Sequence, residues 1–147
     1  MMRAAARYLG VSALALLAAC SSDEPRVTAT VQGSTFTRVP PAGSTYPVAT
    51  VPFVIRNRGD NTIVVPSCGS QALPIIDRFD AGRWEQYSGG ACVLSSTQGP
   101  TALSAGQSDT SLVTIGEAGH YRLRVTYGYD AAFAKTGVAV SGSFDVE

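Results

Sequence analysis

From residue 27 onward, apolar and polar residues alternate in short runs separated by turn residues, and no long window holds a helical period. Residues 27–31 predict a first strand. The Gly-, Pro- and Ser-rich stretch after it, through Tyr46 and Pro47, suits an irregular edge segment. Residues 50–56 carry Val51, Phe53 and Ile55 on one face and break at Asn57-Arg58-Gly59-Asp60-Asn61. Thr62-Ile63-Val64-Val65 follows, which predicts a hairpin whose second strand ends at Pro66 and Cys68. A second hairpin is predicted from residues 73–79, the turn Asp80-Ala81-Gly82 and the return Arg83-Trp84-Glu85-Gln86-Tyr87. Residues 88–90 and 95–100 read as loops flanking Cys92.

The best strand is residues 120–127. Tyr121, Leu123, Val125 and Tyr127 alternate with His120, Arg122, Arg124 and Thr126, so one face is apolar and the other charged and solvated. A strand at 110–115 precedes it, after the turn at 104–108. Residues 137–146 are the last predicted strand, with Val138, Val140, Phe144 and Val146 expected on one face. About seven short strands at this spacing predict an all-β fold, an antiparallel two-sheet sandwich.

Gly119-His120-Tyr121-Arg122-Leu123 resembles the tyrosine corner of immunoglobulin-like domains. Joined to Val51-Pro52-Phe53-Val54-Ile55-Arg56-Asn57, Gly82-Arg83-Trp84 and Ala105-Gly106-Gln107-Ser108, it makes residues 27–146 resemble the immunoglobulin-like domains of bacterial envelope lipoproteins. The resemblance implies an immunoglobulin-like sandwich in which Tyr121 ties back to the loop before it. Phe53 and Leu123 would take the core positions that a disulfide fills in antibody domains. Trp84 lies too far along the chain from Phe53 to be the core tryptophan of such domains and is read as a hairpin residue.

Ahead of the sandwich, Arg3 and Arg7 precede an apolar run from Tyr8 to Ala19 that is short for a membrane-spanning helix. Leu17-Ala18-Ala19-Cys20 resembles the lipobox of bacterial lipoproteins. Residues 1–19 are therefore expected to be a lipoprotein signal peptide, 20–26 a lipidated tether and 27–147 the domain. The resemblance implies a diacylglycerol thioether on Cys20 and acylation, as by palmitate, of the new amine; two or three chains anchor durably where one does not. Ser21 stands where an inner-membrane retention signal has Asp, which implies an outer-membrane anchor facing the periplasm.

Loss of residues 1–19 leaves 128 of 147 residues, one domain's worth, with 9 basic against 11 acidic residues because Arg3 and Arg7 leave too. No basic run neutralises phosphates, so nucleic acid is not an expected partner. Lipidation uses one of three cysteines. Cys68 and Cys92 are expected to form a disulfide in an oxidising envelope, worth roughly 3 to 4 kcal/mol by loop closure.

His120 is the sole histidine, so a triad or a histidine metal site must use it; a place on the charged face explains it more simply. Both methionines leave with the signal peptide, removing thioether ligands. No metal, cofactor or catalytic residue is expected. Asp77, Asp80 and Glu85 lie near Arg78 and Arg83 and read as salt-bridged hairpin ends, and Arg58-Gly59-Asp60 reads as turn chemistry. Trp84, Tyr87 and Tyr46 are the candidate interface residues, with core packing the competing role for Trp84.

The expected function is that of a lipid-anchored, non-enzymatic binding or adaptor module for another envelope component, acting through loops near Cys68 and Cys92. The alternative is an inhibitor of a periplasmic protease acting through an exposed loop at 95–101, since some bacterial proteinase inhibitors share such sandwiches. A small hydrolase using Asp77, Glu85 and His120 would need them in one cleft. Residues 27–31 and 137–146 are candidate open edges for pairing with another chain.

Overall fold

Period-two burial runs through the computed structural model, which describes residues 26–89 and 98–147. Its strands are β1 (Val27–Val31), β2 (Thr35–Phe36), β3 (Ala49–Asn57), β4 (Ile63–Cys68), β5 (Gln71–Ala72) and β6 (Ile75–Asp80). They continue with β7 (Arg83–Gly89), β8 (Gln98–Leu103), β9 (Ser108–Ile115), β10 (Gly119–Gly128), β11 (Thr136–Val140) and β12 (Phe144–Val146). On β3 the inward positions Ala49, Val51, Phe53, Ile55 and Asn57 are all fully buried.

One sheet is β1-β3-β9, antiparallel throughout. In the other, β10 is central: β6 pairs one side of it and carries β7, while β11 and β12 pair the other. A second arm of β4, β5 and β8 joins at the far end of β10 through Gly128, and β2 adds in parallel to β12. The first sheet thus holds strands in the A, B and E positions of the immunoglobulin fold, and β7-β6-β10-β11 hold C′, C, F and G. The fold is all-β, an antiparallel immunoglobulin-like sandwich in which seven strands hold those positions. Apolar residues of both sheets, Phe53 and Ile55 from one and Leu123, Val125 and Ile76 from the other, form a single core.

Tyr121 makes the expected corner: its hydroxyl donates to the Glu117 carbonyl at 3.0 Å while its ring is fully buried. Phe53 and Leu123 are fully buried on the B and F positions. The β6–β7 hairpin also forms, around Ala81 (φ 46°) and Gly82 (φ 82°), two positive values that the tightest hairpin turns require.

Three expectations are corrected. Residues 50–56 and 62–65 do not form a hairpin, because β3 and β4 lie in different sheets. The buried Asn57 turns the chain across: its amide nitrogen donates to the carbonyls of Asn61 (2.8 Å) and Leu103 (3.0 Å), and its oxygen accepts from the Gly59 amide. β4 runs through Pro66 to Cys68 opposite β8, so residues 98–100 of the loop expected at 95–100, and 98–101 of the expected inhibitor loop, are strand, as are residues 88–89 at the end of β7; residues 95–97 lie outside the described residues. Residues 137–146 are not one strand. Arg124 pairs with Val140 but Tyr121 with Phe144, so three steps on β10 face four on the returning chain. The extra residue, near Ser141, reverses which face the side chains take. Phe144 and Val146 are buried, whereas Val138 is 53% and Val140 49% exposed. The Ser141 hydroxyl accepts from the Leu123 amide at 2.9 Å, filling the gap in the ladder.

Candidate functional site: the outer face of β6, β7, β10 and β11

The alternation that sends Tyr121, Leu123 and Val125 into the core turns His120, Arg122 and Arg124 outward. Register places Asp77 of β6 opposite Arg122, and Phe79 opposite Trp84 of β7. Asp77 is only 2% exposed, although it stands on the solvent side of the sheet, because two guanidinium groups cover it. Arg124 grips both its oxygens, Nε to Oδ2 at 2.6 Å and Nη2 to Oδ1 at 2.8 Å, and Arg122 donates Nε to Oδ2 at 3.1 Å. Burial by itself would raise the Asp77 carboxyl; the hydrogen bonds and charges of Arg124 and then Arg122 outweigh it and hold the group below the usual carboxylate range. The same bond keeps Arg124 more firmly protonated.

An aromatic row adjoins this ion cluster. Trp84 lies 5.2 Å from Phe79 and 5.5 Å from His120, ring centre to ring centre, and His120 Nδ1 is 2.7 Å from Asp145 Oδ1. The Arg122 guanidinium carbon sits 4.6 Å from the centre of the Trp84 ring, a cation–π contact. Arg122 is therefore fixed twice, by Asp77 at Nε and by the indole at its flat face. Its two Nη groups make no hydrogen bond among the described residues. Two arginines against one aspartate leave a single positive charge at the centre. Exposed apolar side chains flank it, Phe79 (43%) on one side and Val138 and Val140 on the other.

Of the three candidate interface residues, only Trp84 belongs to this surface. Asp77 pairs with Gln86 and Ile76 with Ser88, so a bulge at Tyr87 leaves that residue without a partner position. Its ring packs against Tyr121 at 5.4 Å, beside the core. Burial raises the Tyr87 hydroxyl's pKa. Tyr46 stands exposed in the connection between β2 and β3, with no aromatic contact among the described residues. Cys68 is disulfide-bonded; Cys20 and Cys92 lie outside the described residues.

The expected hairpin-end salt bridges are also rearranged. Asp77 pairs with Arg122 and Arg124 of β10, Arg78 with Glu117, and Arg83 with Glu85. Glu85 shares its face with Arg78, opposite to that of Asp77, so these two carboxylates do not converge. Both oxygens of Asp77 are engaged by guanidinium groups. Asp77, Arg122, Arg124, Phe79, Val138 and Val140 are residues of this face that the sequence alone does not mark as an interface. The only local signal was the charged alternation on residues 120–126, and its partner strand was not readable.

No protein-family model matches the chain, and no curated protein matches it. Among solved structures it is similar to the ASH/PapD-like domain 7 of human CEP192, at 12% identity and a TM-score of 0.37 over 96% of this chain and 98% of that one. It is also similar to a β-glucosidase involved in saponin metabolism from intestinal bacteria, at 15% identity and a TM-score of 0.35, covering 82% of this chain and 16% of that one. A β-glucosidase from Listeria innocua in complex with gluconolactone gives 12% identity and a TM-score of 0.31, covering 80% and 16%. The chain thus spans about a sixth of each glucosidase, and its immunoglobulin-like assignment rests on its own strand order and tyrosine corner.

Proposed function

We propose that this chain is a lipid-anchored, non-enzymatic envelope protein whose sandwich binds another envelope component through the outer face of β6, β7, β10 and β11. The observation that supports this most is the ordering of Arg122 between Asp77 and Trp84, on a face where Phe79, Val138 and Val140 stay exposed. An arginine and an aromatic anchor immobilised before contact lose little entropy on binding, and these residue types dominate interface energetics. In this reading Cys20 carries the lipid at the periplasmic side of an outer membrane. Residues 21–26 reach only about 20 Å at roughly 3.3 Å per residue, and Cys68 pairs with Cys92. This reading takes the sheet face, rather than the loops near the cysteines, as the binding surface because the fixed aromatic and cation are there.

The test is photo-crosslinking of the full chain in its native membranes, with the crosslinker at Phe79 or at Val138. One enriched partner, lost on Trp84→Ala in protein that keeps its near-ultraviolet dichroism, is the expected result. No enrichment from either position would overturn the reading. Loss of membrane retention and of palmitate label on Cys20→Ser checks the anchor separately.

A further inference from the structure

We infer that the partner docks an extended acidic segment on this face, one carboxylate flanked on both sides by apolar residues, with the carboxylate received by the Nη groups of Arg122. The inference rests on the binding role proposed above and adds the chemistry of the partner.

Charge argues first. Arg122 and Arg124 against Asp77 leave one positive charge, which one carboxylate neutralises. A phosphate would bring up to two negative charges to that single positive charge, leaving an excess against an apolar surround. Geometry argues second. Arg122 has its Nε engaged and its flat face on Trp84, so its remaining fork is planar, oriented and suited to a carboxylate.

Spacing argues third. From Phe79 on β6 to Val140 on β11 is two strand intervals across, about 10 Å, and the length of β10 from His120 to Arg124, about 13 Å, a diagonal of roughly 16 Å. Arg122 stands midway along that diagonal on β10, its guanidinium leaning toward Trp84. An extended chain rises about 3.3 Å per residue, so side chains two apart on one face are separated by roughly 6.7 Å. An apolar–x–acid–x–apolar segment therefore spans about 13 Å of backbone, and the reach of its two terminal side chains covers the rest of the diagonal.

The experiment titrates the full chain with the blocked peptide Leu-Ser-Glu-Ser-Leu and reads the fluorescence of Trp84, the only tryptophan. Replacing the peptide's glutamate by glutamine, which leaves the protein untouched, is expected to weaken binding about tenfold or more, as loss of a charge-assisted hydrogen-bonded pair does. Arg122→Gln is expected to weaken the glutamate peptide equally and the glutamine peptide not at all, and Arg122→Lys to restore only part of the loss. Equal binding of the two peptides, no binding at millimolar peptide, or stronger displacement by inorganic phosphate than by acetate would overturn the inference. A crosslinked partner at Phe79 that persists unchanged in Arg122→Gln would overturn the acidic segment while leaving the binding role standing. Absence of any crosslinked partner would remove both.

Discussion

The two faces of β10 solve burial by opposite chemistry. Inward, Tyr121, Leu123 and Val125 are fully buried against apolar and aromatic neighbours, and only the Tyr121 hydroxyl needs a partner, which Glu117 supplies. Outward, one residue away at each step, Arg122 and Arg124 shelter a carboxylate almost as completely, with no second layer above it among the described residues. The inner face gains from area removed from water. The outer face gains from matched charge, and the desolvation of Asp77 offsets part of that gain. That exposed, positively charged centre with its aromatic and aliphatic flanks is the contact surface we propose.

The largest break in this contrast should come from the inner face. Leu123→Ala, at a fully buried site with little room to collapse, is expected to cost about 4 kcal/mol in urea unfolding. Asp77→Ala should follow at about 3 kcal/mol, the lower end for a broken buried ion pair. Arg122 and Arg124, 29% and 30% exposed, can turn partly to water once unpaired.

Acid sharpens the same comparison. Because Asp77 titrates lower folded than unfolded, its contribution is complete above the unfolded value near pH 3.9 and is lost as pH falls through the folded value. Denaturation curves across that acid range should therefore be steeper in pH for the parent than for Asp77→Asn. A parallel pair of curves would show that the carboxylate gains nothing from its arginines. Tyr121→Phe removes only the corner hydrogen bond and is expected to cost about 1 kcal/mol. The smallest change belongs to the flanks: Val138→Thr or Val140→Thr should move stability by less than about 0.5 kcal/mol. The same substitutions should weaken partner crosslinking at Phe79.

What was readable without coordinates was local. Period-two patterning at residues 27–31, 50–56 and 120–127, the Ala81-Gly82 turn and the tyrosine before Leu123 each depend on neighbours a few positions away. They sufficed for an all-β immunoglobulin-like sandwich with Tyr121, Leu123 and Phe53 inside. They also marked His120, Arg122 and Arg124 as an outward charged set. Trp84 was legible as a contact candidate by residue type, whereas Tyr87 turned inward at a bulge that nothing in its immediate neighbours announces.

Pairing across the sheets decided the rest. That β3 and β4 part company depends on Asn57 reaching the carbonyl of Leu103, 46 positions away. That Asp77 belongs to Arg122 and Arg124 rather than to Arg78 and Arg83 depends on the register of β6 against β10. That Val138 and Val140 stand in solvent while Phe144 and Val146 are buried depends on one extra residue near Ser141. Strand patterning constrains each segment only up to a flip of its faces. Which face meets which partner is chosen by long-range hydrogen bonding and close packing, and there the outer face of β6, β7, β10 and β11 is assembled.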